Sequence, residues 1–280
     1  LPEVFTEPGR CEPLLRAVLE HVGAFGVALE IGGEFGGYLA GYPRAEEIWG
    51  RACWSPVEGS ALAEWVPAEA IRDLYAMWSD HFVRRGFFRQ YVHAVAGDTN
   101  LMAAWFCTGF GQMQAHALRD LALDGAPPPG IGLRKAVPED IDALEPLLPL
   151  IGLQLVRPPA YAVRLPESAA TRRAAWVEEL ADVDALHLVA DEGGRILALA
   201  SFLPAAPGPM TPDGAWELVV AMTRSESRRR GLIRALMARG FAEVRASGAT
   251  HCEADWRTAS LPTHRTWTAL GWRPTYYRLH

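Results

Sequence analysis

The sequence predicts an α/β fold of the layered α+β kind: two tandem domains, each with a mixed, mostly antiparallel central sheet flanked by helices. Three observations predict it. Apolar runs of strand length alternate with amphipathic stretches of helix length. Two Gly-Gly pairs, Gly32-Gly33 and Gly193-Gly194, each sit between apolar strand-like runs, which is a hairpin signal. The chain also repeats itself: Gly86, Trp105 and Gly109 align without gaps with Gly248, Trp267 and Gly271, an offset of 162. The same offset sets Ile71, Arg72, Leu74 and Ala76 over Ile233, Arg234, Leu236 and Ala238, and an offset of 161 superposes the Gly-Gly pairs. An internal duplication accounts for all three matches.

The segment 124–130, DGAPPPG, separates the copies. Three prolines between glycines cannot continue a helix or a central strand, so a short stiff linker is expected. The expected domains are residues 1–124, a linker over 125–130, and residues 131–280. In the second copy, residues 131–136 read as a strand, and Pro138-Glu139-Asp140 opens a helix through Leu148, with acids in its first turn. A helix follows at 171–181, then a hairpin from strands 187–191 and 195–203. Trp216–Thr223 is a strand, apolar apart from Glu217. Residues 231–247 form a helix with Ile233, Leu236, Met237 and Phe241 on one face. A strand at 251–255, a helix at 261–270 and a closing strand at 275–279 complete it.

Composition narrows the function classes. Of 280 residues, 50% are apolar and 21% charged, enough for a sizeable core. No apolar run reaches the ~18 residues of a membrane span. The first ten residues lack the basic and apolar regions of a signal peptide. Cys11, Cys53, Cys107 and Cys252 are widely spaced and form no CxxC pair, which argues against a zinc site or a disulfide framework and for a reduced, cytoplasmic chain. The net charge of −6 argues against a nucleic-acid binder. It is unevenly spread: residues 1–124 hold nine arginines against sixteen acids, a net −7, and residues 125–280 carry a net +1. An anionic ligand would prefer the second copy.

The most informative stretch joins that apolar strand to the next helix. Arg228, Arg229 and Arg230 precede Gly231, and the helix opens with Leu232 and Ile233. The first N–H groups of a helix lack internal partners, and the macrodipole places partial positive charge there. Gly231 lets a ligand approach the backbone closely. Such a turn suits a pyrophosphate; the bland alternative is a solvated basic helix start.

The residues 228–233 resemble the [Q/R]-x-x-G-x-[G/A] loop of the GNAT superfamily of acyl-CoA-dependent N-acyltransferases, which holds the CoA pyrophosphate. They match its first four places, and Ile233 replaces the final small residue. Downstream, Thr266, Trp267, Thr268, Ala269, Leu270, Gly271 and Trp272 resemble the end of a second family signature, N-x-x-A-x-x-[LF]-Y-x-x-x-G-[FW], with Ser260, Thr263 and Trp267 at its Asn, Ala and Tyr places. The resemblance covers nearly all of residues 131–280 and implies acetyl-CoA, or another acyl-CoA, as cofactor. The first copy carries Glu69 where the second has Gly231 and lacks the three arginines, so it is expected to be degenerate and structural.

N-acyl transfer needs a neutral amine. An alkyl amine with pKa near ~10 is about one part in a thousand neutral at pH 7, so a general base helps, by ~10²–10⁴-fold. Glu217, eleven residues before Arg228, stands where some family members place that base; the alternative is a carboxylate paired with an arginine at the sheet rim. The resemblance implies an oxyanion donor among the backbone N–H groups near Met222 or Thr223. Trp267 occupies the place of the usual acid and is read as core, as is Trp105 in the first copy. Tyr276, Tyr277 or solvent would then protonate the thiolate. Asp255 is open between binding an acceptor amine and pairing with an arginine. His251, Asp255, Ser260 and His264 are set aside as a hydrolase triad, since no G-x-S-x-G elbow surrounds any serine. The expected function is N-acetyl or N-acyl transfer to an amine, in preference a small molecule, because a flanking second domain would restrict a bulky substrate. The rivals are a protein lysine acetyltransferase, a non-catalytic acyl-CoA-binding or interaction protein, and another reaction such as malonyl decarboxylation. A monomer is favoured over a dimer.

Overall fold

The computed structural model describes residues 8–206 and 208–280. Residues 1–7, part of the segment read for a leader, lie outside them. The chain divides into two compact units, Leu1–His116 with Pro274–His280, and Ala117–Arg273. No helix among the described residues is long and apolar enough to cross a membrane. The four cysteines are free thiols.

The first unit contains α1 (Pro8–Glu20), β1 (Phe25–Ile31), β2 (Glu34–Glu46), β3 (Gly50–Ser55), β4 (Ser60–Leu62), α2 (Ile71–Val83), β5 (Arg89–Val95) and α3 (Thr99–Phe106). β6 (Gln112–Asp120) carries the chain into the second unit. That unit contains β7 (Gly132–Lys135), α4 (Ile141–Leu144), α5 (Leu150–Leu155), α6 (Ala169–Ala181), β8 (Leu186–Glu192), β9 (Arg195–Pro204), β10 (Trp216–Thr223), α7 (Leu232–Ala246), β11 (His251–Arg257) and α8 (Leu261–Ala269). The last strand, β12 (Arg273–Leu279), turns back into the first unit.

In the first unit the sheet order is β1-β2-β3-β5-β12, with β4 on β2. β12 is antiparallel to β5, from Tyr276 opposite Val95 to Leu279 opposite Val92. Leu279 and Tyr277 join a core of Leu39, Trp78, Phe82, Val92 and Trp105 under α2 and α3. In the second unit the order is β11-β10-β9-β8-β7. One of its faces is covered by α4 and α6 through Leu144, Leu147, Leu180, Val189, Leu199 and Met222.

Three sequence expectations need correction. The closing strand does not complete the domain at 131–280; it supplies apolar side chains to the first unit's core instead. The segment 125–130 does not separate the units, whose division falls inside β6. It lies on α7, so close that a Cβ on Gly125 would stand 2.9 Å from the Arg234 carbonyl oxygen. The helix expected from Pro138 to Leu148 is a 3-10 turn (Pro138–Asp140) running into a short α4 that ends at Leu144. Pro146 has no N–H for the helix ladder and its ring crowds the preceding turn, so the helix stops; a new one, α5, starts after Pro149.

The duplication is visible in backbone detail. Gly32 and Gly193 both have φ 62°, and Gly33 and Gly194 both have φ 87°. The two hairpins carry their register break at the equivalent step, Leu29/Glu30 and Ala190/Asp191. Packing is matched by a reciprocal exchange. A Cβ on Gly240 of α7 would lie 2.4 Å from the Phe202 ring of β9, whereas in the first unit a Cβ on Gly41 of β2 would lie 2.8 Å from the Trp78 ring of α2. Gly41 and Phe202 are equivalent, as are Trp78 and Gly240. Each helix thus reaches its sheet through one large and one absent side chain.

Candidate active site

The site begins as a split between two parallel strands. β10 pairs with β9 along its whole length, from Trp216 opposite Pro204 to Thr223 opposite Ala198. Its pairing with β11 stops after two positions, Trp216 with Cys252 and Glu217 with Glu253. A bulge between Leu218 and Val220 leaves Val219 without a partner on β9, and bulges bend a strand and re-aim its side chains. Here the bulge returns Val220 and Met222 to the face that Glu217 occupies, where both pack against the α4–α6 core. The Arg224 N–H donates to the Leu197 carbonyl. By the alternation of an antiparallel ladder, Met222 also bonds towards β9, while Ala221 and Thr223 aim their N–H groups at the split. The expected donor near Met222 or Thr223 therefore narrows to Thr223. The N–H of Met222 is turned away and its side chain is buried.

The strand leads into the basic turn. Arg224 anchors it from both sides, its Nε donating to the Ile196 carbonyl at 2.6 Å and its Nη2 to the Ala143 carbonyl at 3.3 Å. A 3-10 turn at Ser225–Ser227 follows. Arg229 has φ 64° and Gly231 φ 78°. The left-handed region is natural for Gly231 and costs a non-glycine residue ~1–2 kcal/mol. Gly231 is the N-cap of α7, no side chain caps this end, and a Cβ placed on it would meet nothing within 4 Å. The helix ladder starts with the Ala235 N–H donating to the Gly231 carbonyl, so the N–H groups of Leu232, Ile233 and Arg234 precede it, open to an anion. The Leu232 side chain is buried, leaving only its backbone for such a role. Arg228 and Arg229 are exposed; Arg230 is ion-paired with Glu192 at 2.8 Å.

Glu217 sits where the split opens. It is half-buried, and its carboxyl is pushed up to about 7, by burial first and then by Glu253 and Asp255. All three acids project from the same face, since register partners and alternate residues share a side. Glu253 is held by the Thr211 hydroxyl, which donates to its Oε2 at 2.5 Å. The rim arginine considered for Glu217 is not there: among the described residues it makes no ion pair. Cys252, on the opposite face of β11, is a buried thiol whose pKa burial pushes up, and it offers no thiolate.

Tyr276 and Tyr277 do not belong to this constellation. Both lie on β12 in the first unit. Tyr276 is buried, its hydroxyl has no hydrogen-bond partner, and burial pushes its pKa up to about 12. Tyr277 packs against the α2–α3 core. Neither is a proton donor at the split, and the expectation is corrected to core residues. Trp267 is buried against Trp272, as its core reading requires, and Trp105 is buried in the first unit. The set-aside triad stays apart: His264 accepts from the Trp256 indole at 3.2 Å, and Ser260 bonds Thr263 at 2.9 Å.

The equivalent place in the first unit is closed. β3 pairs with β5 from Ala52 opposite Arg89 to Ser55 opposite Val92, the end of the strand. Ser55 stands at the position of Glu217. Pro56 then turns the chain into a 3-10 turn whose Gly59 would put a Cβ 2.6 Å from Ser55 Oγ and the Ala40 carbonyl. The N–H groups at the helix start are consumed locally: Ala70 donates to Pro67, and Ile71 to Ala68 and Glu69.

The sequence reading missed Glu253, Thr211, Arg224 and the bulge at Val219. Glu253 and Asp255 do carry a signal, two acids at period two in an otherwise buried strand. Thr211 lies in an irregular segment that no periodicity reaches.

Comparison with known proteins places this geometry. The model of the acetyltransferase (GNAT) family matches residues 153–272. A GCN5-related N-acetyltransferase from Sphaerobacter thermophilus superposes with TM-score 0.58 at 18% identity, over 96% of this chain and 84% of that one. An acetyltransferase of the GNAT family from Colwellia psychrerythraea gives 0.51 at 9% identity, over 91% and 83%. A GCN5-related N-acetyltransferase from Kribbella flavida gives 0.50 at 16%, over 96% and 93%. At these identities the likeness is one of fold. None of the curated proteins compared with the chain matches it.

Proposed function

From the membership of residues 153–272 in the acetyltransferase (GNAT) family, we propose that the chain transfers an acyl group from an acyl-CoA to an amine, with the second unit as the catalytic one. The observation that carries this reading is the coincidence of three features in one unit: strands that part after Glu217 and Glu253, a base at the parting, and an uncapped helix start behind a basic turn. The residues present fit the cofactor. Leu232, Ile233 and Arg234 would offer N–H groups to the pyrophosphate, and Arg228 and Arg229 would add charge. The split would take the extended arm along the free edge of β10. Acyl-CoA supplies the activated thioester carbonyl; acetyl is the acyl group we favour.

Glu217 would take the proton that the acceptor ammonium must lose, leaving a neutral amine and a protonated carboxyl. A base near 7 is half ionised at neutral pH, the compromise that general-base catalysis favours. The Thr223 N–H would face the developing oxyanion. With Tyr276 and Tyr277 in the other unit's core, the thiolate is left to solvent protonation; its free pKa of ~8.5 makes it a tolerable leaving group. The first unit, with its closed strand pair and Glu69 at the helix start, is proposed to bind no acyl-CoA.

Three carboxylates at the split would draw a cationic amine, and we place the acceptor among small molecules. A screen of small amines beside a lysine-containing peptide tests this. Turnover of the peptide alone would overturn the small-molecule choice, and CoA release with neither, while acetyl-CoA binds, would overturn the enzyme reading.

A further inference from the structure

The Thr211–Glu253 hydrogen bond has no role in the reaction as described. Glu253 is the register partner of Glu217, on the same face, at the last paired position before the strands part. Two carboxylates at adjacent positions of neighbouring strands repel, and a fold keeps such a pair only where something holds it. The Thr211 hydroxyl does so, donating to Glu253 Oε2 at 2.5 Å from the irregular segment between β9 and β10. A hydroxyl donor favours the ionised form of its acceptor, so the bond maintains negative charge beside Glu217.

We propose that Glu253, pinned by Thr211, is a positioning residue that sets the proton affinity of Glu217. This rests on the reading of Glu217 as the base. The groups around Glu217 agree with it. β11 presents Glu253 and Asp255 on its face, with His251 and Arg257 further along the strand and the buried Cys252 thiol behind. β9 places Leu203 opposite Glu217, and its single charged residue, Arg195, is at the far end. The segment 205–215 contributes Thr211 and Asp213. No cation in this set pairs with Glu217, so the ionised Glu253 acts on it uncompensated. Burial raises Glu217 most and Glu253 next. When Glu253 is neutralised, part of the elevation must disappear and part must remain. The chemical consequence is control: a segment at the acceptor side would tune the base through one hydroxyl.

The test needs no acceptor. The carboxyl ¹³C resonance of Glu217 is followed with pH in the full chain, in the wild type, Glu253→Gln and Thr211→Val. The wild-type midpoint is expected near 7. In Glu253→Gln it should fall by ~0.5–1 pH unit, staying above a free glutamate because burial persists. In Thr211→Val it should fall less, because Glu253, without its donor, takes a proton more readily. A Glu217 midpoint that moves less than about 0.2 in both variants overturns the proposal; if Glu253→Gln does not fold, Thr211→Val alone decides. Failure here is separable from failure of the functional reading. Should Glu217→Gln keep full turnover, the base assignment fails whatever the midpoints do. Should it abolish turnover while the midpoints stay fixed, only the role of Glu253 fails.

Discussion

Glu217 concentrates the chemistry at the residue scale. Its carboxyl is raised by burial and by two neighbouring acids, so kcat/KM should rise with pH through about 7 as the base ionises. The same elevation has a stability sign. The folded form holds the proton more tightly than the unfolded chain does, so the group's stabilising contribution is complete below ~4.5 and is lost as pH rises to ~7. Glu217→Gln should therefore lower turnover by ~10²-fold or more, leave acetyl-CoA affinity unchanged, and raise Tm at pH 8. Discounted for its solvent exposure the gain is about 1 kcal/mol, or ~2–4 °C. A fall in Tm at pH 8 would contradict the burial account. Arg229 makes a second case. Its φ of 64° strains a residue with a Cβ, so Arg229→Gly should stabilise by about 1 kcal/mol, read by urea denaturation. It should weaken acetyl-CoA only modestly, since the backbone N–H groups remain. Both residues were legible in the sequence as types. What it could not show was Glu253 as a register partner, because pairing across strands is a three-dimensional fact.

Elements carry the next level of the account. α7 can place its uncapped start at the end of β10 because Gly240 lets it settle on Phe202. Gly240→Ala would push a methyl into that ring and should cost ~1–3 kcal/mol, read as a lower Tm with reduced acetyl-CoA affinity, because the helix start moves with the helix. An unchanged Tm would show that the contact yields freely. The strands and helices of the second copy were legible from period and punctuation, and Trp216–Thr223 falls where the apolar run placed it. The helix through Leu148 was misread because acids at its start outweighed Pro146 in the reading. The bulge at Val219 leaves no residue signature, since an extra residue in an apolar run looks like any other.

The whole molecule is a duplication whose halves have diverged in their strand splits. β12 belongs to the first unit although its sequence closes the second copy. Sequence similarity follows descent, whereas strand partners follow the chain's path, so repeat alignment assigned that strand to the wrong unit. Ending the chain at Trp272 should remove Leu279 and Tyr277 from the first core and expose the edge of β5. The expected result is loss of cooperative unfolding in the first unit, seen as hydrogen exchange across β5 and α2, with β8 and β9 still protected; protection of β5 equal to wild type would contradict the assignment. The retained split in one unit and the zipped strands in the other make an asymmetric molecule, with one acyl-CoA site per chain as the central claim. Calorimetric titration of the full chain with acetyl-CoA tests it most directly. The account predicts one site per chain, lost when Arg228, Arg229 and Arg230 are together changed to Ala. Two sites, or binding that survives the triple change, would contradict it.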